Sequence, residues 1–316
     1  MSRPLRLTFQ GATHHVYARG AAKQPIFLDD RDREHFGDLL EIAAGKYDFR
    51  VYALALIPNH FHVVLTTDDG MLSGMMHWWL SAYSTWFNKR HGRSGHVFGS
   101  RFKSPLVDRD NYLAEVCSYV HLNPVRAGLA KRPEHYAWST LKHYQDIRNA
   151  PRWLDVKFLL SLFDGRTLAA KAADHLAYVH KRIDKDDPPK LVDDLFYGTE
   201  SFITKMRRKF GLNAKIGSPA AASSPSVEAA IALVASDFGV QPGTLTRPWA
   251  RTLRLPRKAA IYLARVHCHA TLEELGGAFG RISAAAVLQA ARSFKAELSK
   301  DASLRRRIEK LSARIS

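Results

Sequence analysis

Two apolar runs, Phe49–Ile57 (FRVYALALI) and His60–Thr67 (HFHVVLTT), are separated only by Pro58-Asn59, and this spacing constrains the fold more than any other stretch. Short runs rich in β-branched and aromatic residues read as strands, and Pro-Asn punctuates between them. The neighbouring segments alternate in period. Residues 14–19 read as a short strand, and Asp30–Ala44 as an amphipathic helix with Phe36, Leu39, Leu40 and Ala43 on one face. Residues 71–89 form a helix carrying Trp78, Trp79, Tyr83, Trp86 and Phe87, whose Trp pair suits core packing or a subunit contact. A fourth strand is expected over 102–107, then a helix from 110 to about 122 opened by an Asp-Asn start signal.

The resulting order, βαββαβα, predicts an α+β fold: a ferredoxin-like sheet with helices on one face. The chain of 316 residues exceeds one typical domain. Residues 1–130 hold the sheet, and 131–211 have helical periodicity broken by Asp184-Lys-Asp-Asp-Pro-Pro189. Residues 212–226, with Gly217-Ser-Pro-Ala-Ala-Ala-Ser-Ser-Pro225, have the composition of a flexible linker. Only helix signals remain over 227–316, with a large share of the basic excess. Overall, 47 basic against 30 acidic residues give +17. That balance suits a polyanionic partner, because neutralising phosphates releases condensed counterions. Two cysteines, Cys117 and Cys268, lie far apart without a Cys-x-x-Cys pattern and read as buried thiols. No segment reaches membrane-spanning length and the first residues, Met-Ser-Arg-Pro-Leu-Arg, lack the apolar core of a secretory signal, so a cytoplasmic, nucleoid-associated location is expected.

His60 and His62 are two apart on a strand, so both imidazoles face the same way and can reach one divalent metal while Phe61 packs behind them. Alone, such a pair is weak evidence; hydrogen-bonded or solvated histidines are commoner. Tyr119 and Asn123, four apart on the last predicted helix, bring a phenol and a carboxamide to one face. Two imidazole nitrogens and an amide oxygen leave positions open on a hard cation such as Mg²⁺ or Mn²⁺, where a phosphate oxygen can bind. A phenol of pKa about 10 is a poor nucleophile at neutral pH, so Tyr119 needs nearby positive charge to attack phosphorus. Pro124 disfavours α conformation at Asn123 and puts it in a fraying last turn. Tyr112, on the same helix, is a rival nucleophile without a ligand candidate four residues later. His121 points to another face and reads as structural or DNA-facing. The loop 91–103 interleaves cations with Phe98 and Phe102; Arg101, Lys103 and Arg126 are candidate phosphate contacts. Its aromatics either stack on bases or belong to the core.

Pro58-Asn-His-Phe-His62, residues 98–104, Tyr119-Val-His-Leu-Asn-Pro-Val-Arg-Ala-Gly128 and Tyr136-Ala-Trp-Ser-Thr140 together resemble the blocks of the IS200-like single-tyrosine transposases, in particular the REP-associated tyrosine transposase branch. The resemblance covers residues 5–145. It implies a metal-dependent endonuclease and strand transferase of the HUH class, acting on single-stranded DNA beside hairpins. By position it implies His60 and His62 as ligands to Mg²⁺ or Mn²⁺, Asn123 as third ligand, and Tyr119 as the nucleophile that forms a 5′-phosphotyrosine. Relatives of this kind include dimers that exchange the tyrosine helix and monomers that keep it, so monomer and homodimer both stay open.

In the C-terminal region, residues 258–265 followed by 271–280 resemble the DNA-binding domain of the replication initiator DnaA. The resemblance implies a helix-turn-helix reader with the helix after Arg281 in a major groove. Here that helix begins Ile282-Ser-Ala-Ala-Ala286, which offers little for base edges. Phosphate docking through Arg257, Lys258, Arg281 and Arg292 is therefore expected. Two rival readings stand beside the transposase: a non-catalytic hairpin-DNA binding or regulatory protein on the same scaffold, and a zinc-dependent hydrolase using His60 and His62.

Overall fold

The structure, a computed structural model, describes residues 6–183, 188–212, 225–247, 254–268, 270 and 272–315. The chain divides into two compact units, Met1–Thr199 and Glu200–Ser316.

In the first unit, β1 (Ala12–Arg19), α1 (Asp30–Ala44), β2 (Phe49–Ile57), β3 (His60–Thr67), α2 (Leu72–Arg90), β4 (Leu106–Val107) and α3 (Arg109–Arg126) follow the expected order. The sheet runs β2-β3-β1-β4 and gains β5 (Phe196–Tyr197) beside β4. Pro58-Asn59 closes the β2–β3 hairpin, with Ile57 paired to His60. β1 lies antiparallel on the other side of β3, which sets Tyr17 opposite His62 and Arg19 opposite His60. The fourth strand is shorter than expected. Residues around Lys103 already bond to β1, through Tyr17 N–H to the Lys103 carbonyl at 3.0 Å and Lys103 N–H back to Tyr17 at 2.9 Å. Pro105 then interrupts the ladder because it has no N–H to give.

Strand alternation sorts the side chains between two faces. Phe61 packs against Phe36 of α1 and Trp79 of α2, with ring centroids 5.1 and 5.6 Å away. His62, one residue on, meets Tyr119 of α3 on the opposite face. The helices expected on one face thus cover both. α1 and α2 are crossover connections between strands and share a handedness, whereas α3 follows β4 and is free to cover the other side. Burial on both faces also explains why β2 and β3 read as continuous apolar runs. The α1–α2 face holds a fully buried aromatic cluster of Phe36, Phe61, Trp79 and Tyr83. Its polar tips are satisfied: Trp79 Nε1 donates to the Phe36 carbonyl at 3.0 Å, and Tyr83 Oη donates to the Ile26 carbonyl. Trp79 is therefore a core residue, while Trp78 lies under the Lys46 ammonium at 4.1 Å.

Residues 131–199, expected as helix, do more than that. α4 (Leu141–Gln145), α5 (Val156–Ser161) and α6 (Leu168–His180) are joined by β5 and by stretches that bond to the outer edge of β2. Leu56 N–H donates to Trp138, Thr140 N–H to Leu54, and Val51 N–H to Trp153, each at 2.9 Å. Tyr136 Oη donates to the Leu56 carbonyl at 2.7 Å, so the Tyr136-Ala-Trp-Ser-Thr140 block seals that edge. His121 is fully buried near Thr140, Tyr144 and His175, a structural position.

The second unit contains α7 (Glu200–Lys209), α8 (Val227–Phe238), α9 (Pro242–Leu245), α10 (Arg254–His267), α11 (Leu272–Ala278), α12 (Ala284–Lys300) and α13 (Ala302–Ile315). α10 packs against both α8 and α12. Gly276 lets α11 touch the turn into α12, since a Cβ there would collide with the Ile282 carbonyl. Ser283 caps α12 through its hydroxyl, which takes it out of play for reading a base. Most of the expected linker, and the break at 184–187, lie outside the described residues. Cys117 and Cys268 are both buried and free.

Candidate active site

β3, β1 and α3 meet over a cleft of about 690 Å³. His60 and His62 project into it from β3, His15, Tyr17 and Arg19 from β1, and Tyr119 and Asn123 from α3. The four residues singled out from sequence, His60, His62, Tyr119 and Asn123, are therefore brought together, whereas Tyr112 is not among the cleft residues.

The imidazole rings of His60 and His62 lie 5.0 Å apart and nearly perpendicular. Each has Nδ1 held by a neighbour: His60 by Asn59 Oδ1 at 2.6 Å, His62 by His15 Nε2 at 2.9 Å. Second partners of this kind orient a metal-binding imidazole and leave Nε2 for the ligand position. Burial lowers the His60 pKa to about 4, helped by Arg19, and pushes His62 well below its ordinary value, with His15, His60 and Arg19 adding to the effect. Both rings are thus neutral at physiological pH, the form that offers a lone pair to a cation.

Asn123 sits on the same helical face as Tyr119 and hydrogen-bonds to His60, while its Nδ2 donates to the Tyr119 carbonyl at 3.1 Å. The expected fraying at Pro124 does not occur; α3 continues to Arg126 with the proline inside it. Its end is tied down instead by Ala127 N–H to the Asn123 carbonyl and Leu129 N–H to Pro124, with Gly128 at φ 69° making the turn. The donor set, two neutral imidazoles and an amide oxygen, fits a divalent cation with positions open.

The Tyr119 ring stands edge-on to His62, with centroids 6.0 Å apart, and to His15 at 5.9 Å. The Arg126 guanidinium lies over its face at 4.9 Å. Arg126, expected at a phosphate, thus sits against the face of the Tyr119 ring in a cation–π contact. Arg101 and Lys103 line the cleft together with Arg19 and Lys190, and no carboxylate is among the described lining residues, although burial, with Asp194 near enough to add to it, raises the Tyr17 and Tyr197 pKa values. Phe98, half-buried, packs toward Phe61 and Tyr83, and Phe102 is buried under Arg6, so both aromatics of the 91–103 loop make contacts within the protein.

Sequence reasoning missed His15, Tyr17, Tyr197 and Lys190. The first two alternate on β1, His15-x-Tyr17-x-Arg19, a polar file on an otherwise buried strand that could have marked a site-facing edge. Tyr197 and Lys190 come from the extension, where no local pattern announces them.

In the second unit, Arg257 donates to the Arg247 and Phe279 carbonyls, and Lys258 pairs with Glu297 at 2.6 Å. Arg281 is exposed in a left-handed conformation, φ 59°. The side chain of Arg292, on α12, lies outside the described residues.

No curated protein sequence matches the chain. Among solved structures, it is similar to a REP-associated tyrosine transposase bound to a REP hairpin, at 19% identity and a TM-score of 0.40, covering 47% of this chain and 87% of that one. Residues 8–123, which hold both the His60-Phe61-His62 strand and the Tyr119–Asn123 helix, match the family described as transposase IS200 like. The similarity to the IS200-like transposases thus falls on the segment that builds the cleft.

Proposed function

We propose that the protein is a metal-dependent single-strand DNA endonuclease and strand transferase that works beside hairpin DNA through a 5′-phosphotyrosine. The observation that carries this reading is a cleft in which the Tyr119 phenol and the neutral imidazoles of His60 and His62 are ringed by Arg19, Arg101, Lys103 and Lys190, with no carboxylate among the described lining residues. Neutral metal ligands and four nearby cations leave a strong positive field, which a phosphodiester balances and a neutral or cationic substrate does not.

His60, His62 and Asn123 would hold Mg²⁺ or Mn²⁺. A divalent cation there supplies Lewis-acid polarisation of a phosphate oxygen. Tyr119 Oη attacks the scissile phosphorus, the 3′-oxygen leaves as a hydroxyl, and the strand stays on the protein by its 5′-phosphate. Arg126 holds the Tyr119 ring by its face, and the cleft cations hold the flanking phosphates. Because the phosphodiester is exchanged for a phosphotyrosine ester, attack by another 3′-hydroxyl rejoins strands without an external energy source. Support for action within one chain comes from the packing of α3 on β2 and β3 of its own sheet. The zinc-hydrolase alternative would instead give turnover without a protein–DNA adduct. The second unit would dock duplex or hairpin phosphates through Arg281 and the arginine-rich α13, with Arg257 and Lys258 held by internal partners.

The test is incubation with hairpin oligonucleotides carrying single-stranded flanks in Mn²⁺ or Mg²⁺, followed by denaturing electrophoresis. A covalent protein–DNA adduct is expected from the native chain and from Tyr112→Phe, and none from Tyr119→Phe. An adduct that survives Tyr119→Phe removes the nucleophile assignment; absence of any adduct with bound hairpin favours the non-catalytic reading.

A further inference from the structure

His15 is fully buried, belongs to no metal-ligand pattern, and sits between two polar partners. Its Nε2 lies 2.9 Å from His62 Nδ1 and its Nδ1 3.3 Å from Tyr197 Oη, forming a chain from the sheet edge to a metal-ligand candidate. The rings of His15 and His62 are stacked with centroids 5.1 Å apart, so the contact is fixed by packing as well as by the hydrogen bond. Tyr17, opposite His62, holds the other side of the same rings at 5.1 and 5.5 Å.

A neutral imidazole carries one proton, and one hydrogen bond between two such rings has a donor and an acceptor end. If His62 Nδ1 donates, its Nε2 bears the lone pair that faces the cleft. His15 Nε2 is then the acceptor, so the His15 proton sits on Nδ1 and is given to Tyr197 Oη. If the chain runs the other way, His15 donates to His62 Nδ1 and His62 carries its proton on Nε2, where no cation can bind. The Tyr197 hydroxyl accepts in the first direction and donates in the second, so it closes the chain either way, and only the first leaves His62 Nε2 open to a cation.

We propose that His15 is a positioning residue, oriented by Tyr197, that accepts a hydrogen bond from His62 Nδ1 and so holds His62 in the tautomer whose Nε2 is free to bind a divalent cation. The inference rests on the reading of His62 as a metal ligand for its consequence, but the tautomer is a property of the metal-free protein. It also gives a role to the strand that brings Tyr197 beside β4: the extension reaches the catalytic sheet to set a proton position two residues away in the chain of bonds.

The experiment is long-range ¹H–¹⁵N correlation of the histidine side chains in the full-length, metal-free protein, with His62 assigned by its His62→Gln variant. The native protein is expected to show His62 protonated on Nδ1. His15→Phe, which keeps a ring in the packing, is expected to shift His62 toward the Nε2-protonated form intrinsically favoured by free histidine, and to weaken Mn²⁺ binding by about 10-fold or more, measured by electron paramagnetic resonance of free Mn²⁺. His15→Gln, whose amide oxygen can accept from Nδ1, is expected to restore both. Tyr197→Phe, which leaves His15 in place, tests the same relay should His15→Phe fail to fold, and is expected to give a mixture of His62 tautomers. Native His62 found protonated on Nε2, or an unchanged tautomer in both His15→Phe and Tyr197→Phe, overturns the proposal. The expected tautomers without Mn²⁺ binding to the native protein support the relay and refute the metal reading instead.

Discussion

His175, which takes no part in the proposed chemistry, allows a sharp test of how burial governs this protein. Its ring is enclosed by Tyr144 and Phe163, each 4.8 Å away, and by His121 at 5.6 Å. Among the described residues neither of its nitrogens has a hydrogen-bond partner. Desolvation lowers its pKa from 6.5 to about 3. The unfolded chain therefore binds a proton at this site over a pH range in which the folded chain refuses it, so stability falls as pH drops. The loss is absent above 6.5, grows by about 1.4 kcal/mol per pH unit below it, and levels off once the folded pKa is passed. Between about pH 7.5 and about pH 5 this one group costs about 2 kcal/mol, a sizeable fraction of the roughly 5–15 kcal/mol that holds a domain together. Replacing His175 by Phe removes the titration and the two unsatisfied nitrogens while filling the aromatic cage. Any packing cost of the larger ring is the same at both pH values and cancels in the difference. Urea unfolding followed by tryptophan fluorescence is suited to the measurement, since Trp78, Trp79, Trp86, Trp138 and Trp153 all belong to the first unit. The expected result is that His175→Phe gains about 2 kcal/mol more, relative to the native chain, at about pH 5 than at about pH 7.5. His14 and His15 keep their own acid sensitivity, so the variant still weakens in acid. A difference between native and variant that does not change with pH would refute the reasoning.

Other outcomes follow from the two faces of β3. Phe61→Ala empties a fully buried ring site between Phe36 and Trp79 and is expected to cost about 3–5 kcal/mol in urea unfolding; a cost below about 1 kcal/mol would mean that the cluster collapses around the gap. Arg126→Ala removes the guanidinium over the Tyr119 ring and is expected to slow adduct formation about fivefold, the equivalent of about 1 kcal/mol, with hairpin binding little changed. An equal loss in binding and rate would return Arg126 to the role of a plain phosphate contact.

The sequence made the elements legible because each has a strong period: the β2 and β3 runs, the α1 face of Phe36, Leu39, Leu40 and Ala43, and the Pro58-Asn59 turn all stand where the spacing predicts. It also brought out the four cleft residues, because His60 and His62 are related by strand alternation and Tyr119 and Asn123 by one helical turn. What it left out is the order of strands. His15 and Tyr17 reach the cleft because β1 pairs with β3, and pairing is a tertiary fact that no local period encodes. The placement of α3 on the opposite face was hidden for a similar reason, since helix amphipathicity gives a buried side but not the layer it is buried against. At Pro124 a local rule was overridden by its neighbours: the proline forfeits one backbone bond, and the bonds from Ala127, Gly128 and Leu129 hold the turn regardless. Tyr197 and Lys190 arrive from a segment more than seventy residues beyond the nucleophile, with only tertiary structure to connect them.

The stretch 136–156 binds the backbone of β2 at Val51, Leu54 and Leu56, while β5 lies along β4. An open sheet presents two flanks of unmet N–H and C=O groups, and each invites a strand from another molecule. Here the chain lays its own later residues along both. A second copy seeking to extend the sheet would first have to peel away Tyr136, Trp138 and Thr140 on one flank, or the strand that carries Tyr197 on the other. Protection against strand exchange and assembly of the cleft are thus tied to the same few residues, so a change that frees the β5 flank also removes a wall of the site.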